Sequence, residues 1–260
     1  MPFHQVDSLR YYTFASLDKA GVTHAIFTRQ GGISPEPWHS LNVGGLRGDD
    51  PARVLQNRVL AFQALGRDPR SVYDVWQVHS TDVICTDEPR PPSVPHIKAD
   101  GIVTDRPEIS LFMRFGDCVP VLLFDPVHRV VALAHAGWIG TVKGTVSTTI
   151  QAMRDKYNSR PASILAAIGP SIAAHHYPVG PEVINHVRQT FGMEAEKMLI
   201  DLDEKVCLDL WEGNTWQLRR CGVTQIEVAG LCTACDLENW YSHRAENGKT
   251  GRFGALITIG

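Results

Sequence analysis

Short apolar runs separated by glycine and proline clusters recur along this 260-residue chain. Three of them follow one another closely near the middle, over Ile109–Arg114, Val119–Phe124 and Arg129–His135. Apolar runs of this length between turn signals are typical of buried β-strands. Further strands are predicted for the segments His24–Thr28, Ser71–His79, Ser163–Gly169, Gln225–Ala229 and Gly254–Ile259. The pattern therefore indicates a fold with many strands.

Segments with helical periodicity lie between these predicted strands. Asp50 and Pro51 begin a predicted helix that ends near Leu65, because apolar residues recur at positions 55, 59, 62 and 65. Further helices are predicted from the turn at 136–141 to about Tyr157, over Glu182–Phe191 and over Cys207–Cys221, while Ala195–Leu202 is ambiguous. Because strands alternate with helices, we expect an α/β (α+β) fold with mixed sheets, formed by one domain over residues 1–260.

Charge and composition exclude several classes of protein. The net charge of −3 and the mixing of both signs leave no basic surface of the kind that binds nucleic acid. No apolar stretch approaches the roughly 20 residues that a membrane-spanning helix needs. The first residues lack the basic and apolar regions of a signal peptide. Six cysteines scattered over a chain of this length are typical of reducing compartments, so we expect a cytoplasmic protein that binds neither nucleic acid nor membranes.

Reactive side chains stand at the ends of three predicted strands. His79 ends one strand, Cys118 lies between two apolar runs, and His135 ends the most hydrophobic run. Two imidazoles and one thiolate are a suitable ligand set for an open zinc site with a free position for water or substrate. The separations of 39 and 17 residues carry no local ligand signature, so the spacing alone favours a core or surface role for each histidine and a buried apolar role for Cys118.

Two glycine-rich turns are candidate anion sites. Arg29 begins the turn Arg29–Ser34, and Gly137–Thr141 presents backbone amides where a helix is predicted to begin. Guanidinium groups and helix N-termini both bind phosphate. An ordinary glycine turn with a solvated arginine accounts for the first of these equally well.

Two further motifs carry side chains that are suited to metal or redox chemistry. Cys232 and Cys235 have CxxC spacing, but the chain contains no second CxxC for a structural zinc site and no early βαβ unit for a thioredoxin-like role. The adjacent pair His175 and His176 cannot point both rings to one side of a regular element. We therefore expect neither motif to bind a metal.

Several short motifs occur together in a specific order. The chain resembles the YfiH-like laccase-domain family, also labelled multicopper polyphenol oxidase or purine nucleoside phosphorylase. The motifs that carry the resemblance are Thr28–Ser34, Gln77–His79, Ala99–Gly101, Asp117–Pro120, His135–Thr141, Ile168–Pro170, Cys232–Thr233 and Ser242–Arg244. They extend from about residue 24 to the C-terminus. One departure is Ser171, where many members have a cysteine.

The resemblance implies a single domain of layered helices and mixed β-sheets. It also implies a zinc-type site at His79, Cys118 and His135, with copper as the alternative metal. The implied activity is phosphorolysis of purine nucleosides (adenosine, inosine, guanosine and methylthioadenosine), together with adenosine deamination. The expected partners are these nucleosides and phosphate, and the expected state is a monomer or homodimer.

The remaining polar residues of these motifs are assigned by the chemistry that the activity needs. Asp117 is expected to move a proton or to bind the base or the ribose. Arg29 and Arg244 are candidates for binding phosphate. A copper-dependent polyphenol oxidase and a non-catalytic metal-binding module remain the alternatives, although multicopper oxidation requires several histidine-rich ligand sets.

Overall fold

The computed structural model describes residues 2–45 and 48–259. Within these ranges the strands are β1 Phe3–Val6, β2 Leu9–Tyr12, β3 Val22–Phe27, β4 Val72–Tyr73, β5 Val83–Cys85, β6 Gly101–Thr104, β7 Ser110–Phe115, β8 Val119–Asp125, β9 Val130–Ala136, β10 Leu165–Ile168, β11 Leu199–Leu202, β12 Lys205–Leu208, β13 Gln225–Val228 and β14 Phe253–Ile259. The α-helices are α1 Ala15–Lys19, α2 Pro51–Ala64, α3 Trp138–Lys143, α4 Thr145–Tyr157, α5 Pro181–Phe191 and α6 Leu210–Arg220.

The strands form two six-stranded sheets and one hairpin. The first sheet has the order β1-β2-β3-β14-β7-β4, the second has the order β13-β10-β8-β9-β6-β5, and β11 pairs with β12. Most neighbours are antiparallel, but β4 is parallel to β7, β5 to β6 and β10 to β13. The predicted α/β class with mixed sheets is therefore confirmed.

Buried side chains divide the molecule into layers. One core lies between the sheets, where Met113 of the first sheet belongs to the same apolar cluster as Leu133 of the second. Helix α2 covers the outer face of the first sheet through Phe62. Helices α4, α5 and α6 cover the outer face of the second sheet, with Ile150 and Val187 among their buried residues.

Strands β8 and β9 are buried on both faces, which is why the sequence shows continuous apolar runs there. Alternate residues of β9 face opposite layers: Ala132 and Ala134 face the helices, and Val131 and Leu133 face the first sheet. His135 continues the second series, and its ring lies 5.4 Å from that of Phe115 in the first sheet. The strand period therefore places His135 at the edge of the core between the sheets.

The three central strands lie within one residue of their predicted positions, and the predicted helix after Asp50 is confirmed. Asp50 caps α2 by accepting a hydrogen bond from the Ala52 amide, and Pro51 occupies the first turn. Strands β1, β2, β5 and β6 and helix α1 were not predicted. Strand β1 is largely exposed, so its sequence lacks an apolar run.

Three predicted elements differ from the structure. The segment Ser71–His79 is a strand only at Val72–Tyr73, followed by an isolated bridge from Trp76 to Lys98. The long helix expected up to Tyr157 is two helices, because Gly144 adopts a left-handed backbone (φ 89°) between them.

The third difference concerns the predicted helix Cys207–Cys221. Cys207 belongs to strand β12, and α6 begins only after Asp209, whose carboxylate caps it by accepting from the Glu212 amide. The ambiguous segment contains a 3₁₀ turn, Gly192–Lys197, followed by β11. Across the two described ranges, no helix combines the length and apolar character that crossing a membrane requires.

Candidate functional site

The structure brings His79, Cys118 and His135 together, as the sequence predicts. The Nε2 atom of His79 lies 3.9 Å from the Sγ atom of Cys118, and the centroids of the two histidine rings are 5.0 Å apart. One donor atom from each residue lies within 4.8 Å of the others. We call these three residues the cavity cluster.

Strand pairing positions two members of the cavity cluster. Cys118 directly precedes β8, and His135 is the penultimate residue of β9, opposite Pro120 in the antiparallel register. The carboxyl-terminal end of β9 therefore meets the start of β8, which brings the thiol and the imidazole together although 17 residues separate them in sequence.

His79 reaches the same point from a loop rather than from a strand end. Its backbone is left-handed (φ 60°), as is that of Asp117 (φ 81°). Such conformations cost on the order of 1–3 kcal/mol for residues other than glycine and concentrate at functional sites. Both residues adjoin the same cavity.

Asp100 fixes the geometry of the cavity cluster. One carboxylate oxygen accepts a hydrogen bond from His135 Nδ1 (2.8 Å). The other accepts from the backbone amides of Val78 (3.0 Å) and Ser80 (2.7 Å), on either side of His79. A single buried carboxylate thus orients one ring, leaves its Nε2 available as a ligand, and anchors the loop that carries the other ring.

Asp100 was given no role from the sequence. The signal that could have found it is its place in the Ala99–Gly101 motif, one of the motifs that carry the family resemblance.

The electrostatics of the cavity cluster favour a thiolate. Burial opposes ionisation of the Cys118 thiol, but the adjacent His135 and His79 rings outweigh it and lower the pKa of Cys118 to about 6. Burial also opposes protonation of His135, yet the Cys118 thiolate and Asp100 raise the pKa of His135 to about 9. The pair therefore favours thiolate and imidazolium at neutral pH.

The donor set fits a metal ion. Around a tetrahedral zinc, a sulfur and a nitrogen ligand lie about 3.5 Å apart, close to the separation of Cys118 Sγ and His79 Nε2. Gly137 permits this approach, since a Cβ atom there would lie 2.7 Å from Cys118 Sγ. Three protein donors leave one position open, which is typical of catalytic rather than structural zinc.

A cavity of about 260 Å³ adjoins the cluster. Its other lining residues include Asp117, Trp138, Ile172, Tyr177 and Leu210. Burial, followed by the charge of the nearby Cys118, raises the pKa of Tyr177 to about 12, so its hydroxyl stays protonated. Trp138 and Tyr177, which the sequence did not single out, provide aromatic surface. A larger cavity of about 570 Å³ between α3, α5 and α6 contains Thr141, the last residue of the second candidate anion turn, but none of the predicted metal, catalytic or phosphate-binding residues.

Asp117 lines the cavity and also connects two loops. Its carboxylate accepts hydrogen bonds from the Thr233 hydroxyl and the Arg244 backbone amide, both at 2.7 Å. Arg244 itself places its guanidinium over the Tyr177 ring, 4.8 Å from the centroid, and donates to the Pro178 carbonyl. Arg244 is exposed and contacts Tyr177 of the cavity wall, and we call this position the rim of the cavity.

Arg29 does not line this cavity. Its guanidinium pairs with Glu246 (3.1 Å) and donates to the carbonyl groups of His39 and Leu237. It also lies over the Tyr241 ring, 4.4 Å from the centroid. These contacts attach the glycine turn to the C-terminal part of the chain. Arg244 is therefore the predicted arginine that touches the cavity wall.

Comparison with known proteins extends over nearly the whole chain. A purine nucleoside phosphorylase of Streptomyces coelicolor is 37% identical over 246 residues, which are 93% of this chain and 98% of the relative. The purine nucleoside phosphorylase YlmD of Bacillus subtilis is 36% identical over 239 residues, 88% of this chain and 86% of the relative.

Two solved structures also match nearly the whole chain. YlmD from Geobacillus stearothermophilus has a TM-score of 0.92 at 30% identity, covering 99% of this chain and 98% of that one. The hypothetical protein YfiH of Bacillus licheniformis has a TM-score of 0.91 at 33% identity, covering 100% and 99%. The family model described as multi-copper polyphenol oxidoreductase laccase matches residues 23–260. The chain therefore belongs to the multi-copper polyphenol oxidoreductase laccase family.

Proposed function

We propose that this protein is a purine nucleoside phosphorylase. It would convert adenosine, inosine, guanosine or methylthioadenosine, with phosphate, to the free base and ribose 1-phosphate or its methylthio derivative. The observation that carries the proposal is the convergence of His79, Cys118 and His135 on a cavity with an aromatic wall and an arginine at its rim. The names of the relatives support the same chemistry.

We infer that His79, Cys118 and His135 hold a zinc ion. When bound, zinc supplies a Lewis acid that polarises a substrate atom and lowers the pKa of a coordinated water. The mixed thiolate and imidazole set, with three donors, supports zinc. Asp100 would keep His135 Nδ1 protonated, so that Nε2 carries the lone pair for the metal.

The cavity walls suit a nucleoside. Trp138 and Tyr177 offer aromatic faces against which a purine can stack, and Ile172 and Leu210 offer apolar contact. The Tyr177 hydroxyl, kept neutral by its raised pKa, can donate a hydrogen bond. We assign Asp117 to a ribose hydroxyl, because a carboxylate has lone pairs beyond the two bonds it accepts.

Arg244 is the proposed phosphate ligand. Its guanidinium is exposed at the cavity rim and can bind phosphate through two parallel hydrogen bonds. In phosphorolysis a phosphate oxygen bonds to ribose C1′ while the C1′–N9 bond breaks. The electron pair of that bond leaves with the purine, which takes a proton from solvent. Arg244 would hold the attacking phosphate in place. Arg29 would stabilise the turn that carries Arg244, because Arg29 pairs with Glu246 and the Glu246 carboxylate accepts a hydrogen bond from the Ser242 backbone amide.

Adenosine deamination is proposed as a second activity of the same cavity. Water adds to C6 of the purine and ammonia leaves, so inosine forms without phosphate. The family description favours copper-dependent polyphenol oxidation as the alternative. A multicopper mechanism needs several histidine-rich ligand sets, whereas no group of metal-type donors among the described residues holds more than two histidines.

The test is to incubate purified protein with adenosine, with and without phosphate, and to separate the products by chromatography. Zinc and copper are measured on the same sample. We expect adenine and ribose 1-phosphate only when phosphate is present and inosine in both arms. Hypoxanthine should form only with phosphate, because inosine is itself a proposed substrate. His79→Ala and Cys118→Ala should lose the cavity metal and lower turnover about 1000-fold, because several kcal/mol of transition-state stabilisation disappear.

Cys221→Ala is the matched control, since Cys221 directly follows α6 and belongs to no group of three or more metal-type donors among the described residues. It should retain both metal and turnover. Absence of purine products in both arms, together with copper-dependent phenol oxidation, would contradict the proposal. Full activity of either ligand variant would exclude the assigned site.

A further inference from the structure

A second group of histidine and cysteine side chains lies outside the cavity cluster. His175, His176, Cys232 and Cys235 each place one donor atom within 4.8 Å of the others. We propose that these four residues, which we call the loop cluster, bind a second zinc ion with a structural role. This inference does not rest on the proposed enzymatic activity.

Two neighbouring loops carry the loop cluster. The first follows β10 and contains the 3₁₀ turn Ala174–His176, and the second follows β13. Ser171 and Cys232 form an isolated parallel bridge, with backbone hydrogen bonds from Ser171 to Leu231 and from Thr233 to Ser171, both 3.1 Å. This pairing holds the two loops side by side, so their donors meet although the chain separates them by nearly 60 residues.

The two adjacent histidines both face the thiols, contrary to expectation. His175 uses Nε2, which lies 3.0 Å from Cys235 Sγ. His176 uses Nδ1, which lies 3.5 Å from both Cys232 Sγ and Cys235 Sγ. The expectation assumed a regular element, but the pair lies in a 3₁₀ turn and the rings present opposite nitrogens. The ring centroids are consequently only 4.6 Å apart.

These separations match tetrahedral coordination. With Zn–S near 2.3 Å and Zn–N near 2.0–2.1 Å, a sulfur and a nitrogen ligand lie about 3.5 Å apart. Of the four sulfur–nitrogen pairs, two are 3.5 Å apart, one is 3.0 Å apart, and the fourth lies within 4.8 Å. Two cysteines spaced as CxxC with two histidines are a ligand set of structural zinc sites. Four protein donors leave no position for substrate.

The loop cluster has a specific structural consequence. Its loops carry Ile172 and Tyr177, which line the cavity, and Thr233, which donates to Asp117. A metal joining His175 to Cys235 closes a segment of 60 residues, and metal links that close long loops restrict the unfolded chain most. The second ion would therefore stabilise the protein and fix one wall of the cavity.

Metal stoichiometry tests this inference without any activity assay. Protein loaded with zinc and dialysed should contain two zinc ions per chain. Cys235→Ser and His175→Ala should each contain one, as should His79→Ala, which removes only the cavity ion. The matched control Cys221→Ser should contain two. A wild-type value of one that Cys235→Ser leaves unchanged would overturn the proposal.

Alkylation of the unmodified protein provides a test that needs no variant. With zinc bound, Cys235 should react with iodoacetamide at least tenfold more slowly than after removal of zinc by a chelator, although its side chain is exposed. Equal rates with and without chelator would contradict a metal at this position. A disulfide between Cys232 and Cys235 in freshly purified protein, detected by mass spectrometry, would also contradict it.

Discussion

The cavity cluster and the loop cluster use the same two side-chain types in different surroundings. The cavity cluster has three donors, with His135 buried at the edge of the core and Asp100 fixing both its ring and the loop of His79. The loop cluster has four donors, three of them exposed, on two surface loops. Among the described contacts, no carboxylate hydrogen-bonds either of its rings.

This difference separates a reactive site from a structural one. An open coordination position is useful only where the remaining ligands are held rigidly and a cavity brings substrate to it. A closed set of four ligands needs neither, because the metal itself provides the rigidity. Donor number and the carboxylate beside the ring therefore indicate which metal would take part in chemistry.

The largest expected difference between the clusters comes from Asp100→Asn. An asparagine cannot accept hydrogen bonds at both ends, so it would leave either His135 or the amides of Val78 and Ser80 without an acceptor. We expect zinc affinity at the cavity cluster to fall by about 10–100-fold, the usual effect of losing such a partner. Competition with a chelating dye measures it.

Asp125→Asn is the matched control, because Asp125 is also buried and also pairs with a histidine, His128 (2.8 Å), but contacts neither cluster. It should leave both zinc affinities unchanged. Equal weakening of both metals by Asp100→Asn would show that the two clusters are not independent.

A smaller effect is expected for Gly137→Ala. The added Cβ would lie 2.7 Å from Cys118 Sγ and 3.4 Å from His79 Cδ2, so the cavity cluster must shift. Overpacking of this kind costs about 1–3 kcal/mol, and a cost near the lower end of this range corresponds to a loss of roughly fivefold to tenfold in zinc affinity.

Gly180→Ala is the control for Gly137→Ala, since both glycines precede a helix with similar extended backbones and Gly180 faces open space. Zinc titration should show weakening at the cavity cluster for the first variant only. An unaltered affinity in Gly137→Ala would mean that the thiol does not occupy its metal-binding position next to Gly137.

The smallest signal is the titration of one thiol in the metal-free protein. Burial opposes the Cys118 thiolate, but His135 and His79 lower the pKa of Cys118 to about 6, whereas burial and Cys232 raise the pKa of Cys235. As the pH rises, thiolate absorbance should first increase near pH 6, where Cys118 ionises. A second increase, from Cys235, should appear only in alkaline solution. Cys118→Ser should remove the first step and Cys235→Ser should leave it. Absence of any step near pH 6 would contradict the thiolate and imidazolium pair.

The central strands could be predicted from sequence because strands that are buried on both faces consist of continuous runs of apolar residues. Strands β7, β8 and β9 consist almost wholly of buried residues. Strand β1 is mostly exposed and β4 has two residues, so neither produces an apolar run. The segment Ser71–His79 alternates like a strand, but most of it is loop, because Asp100 anchors its end.

The candidate sites show a similar division. Cys118 and His135 could be singled out because they adjoin predicted strands, and the antiparallel pairing of β8 with β9 brings them together. The loop cluster could not be predicted, because its four donors come from two irregular loops whose pairing leaves no periodic signal. Arg29 begins a glycine turn of the kind that binds anions, yet Glu246, more than 200 residues further on, occupies its guanidinium.

The sequence by itself determined the type of fold, the strands of the core and the identity of every donor side chain. Hydrophobic periodicity indicates which segments are buried, and residue type determines which side chains can act as ligands. Both are properties of short stretches of sequence. Only the tertiary structure decided that the donors of the loop cluster meet and that Asp100 contacts His135. Asp100 and His135 are 35 residues apart and His175 and Cys235 are 60 apart, and such contacts depend on sheet order and loop pairing. The number of donors at each point, and with it the difference between an open and a closed site, is a property of the folded chain.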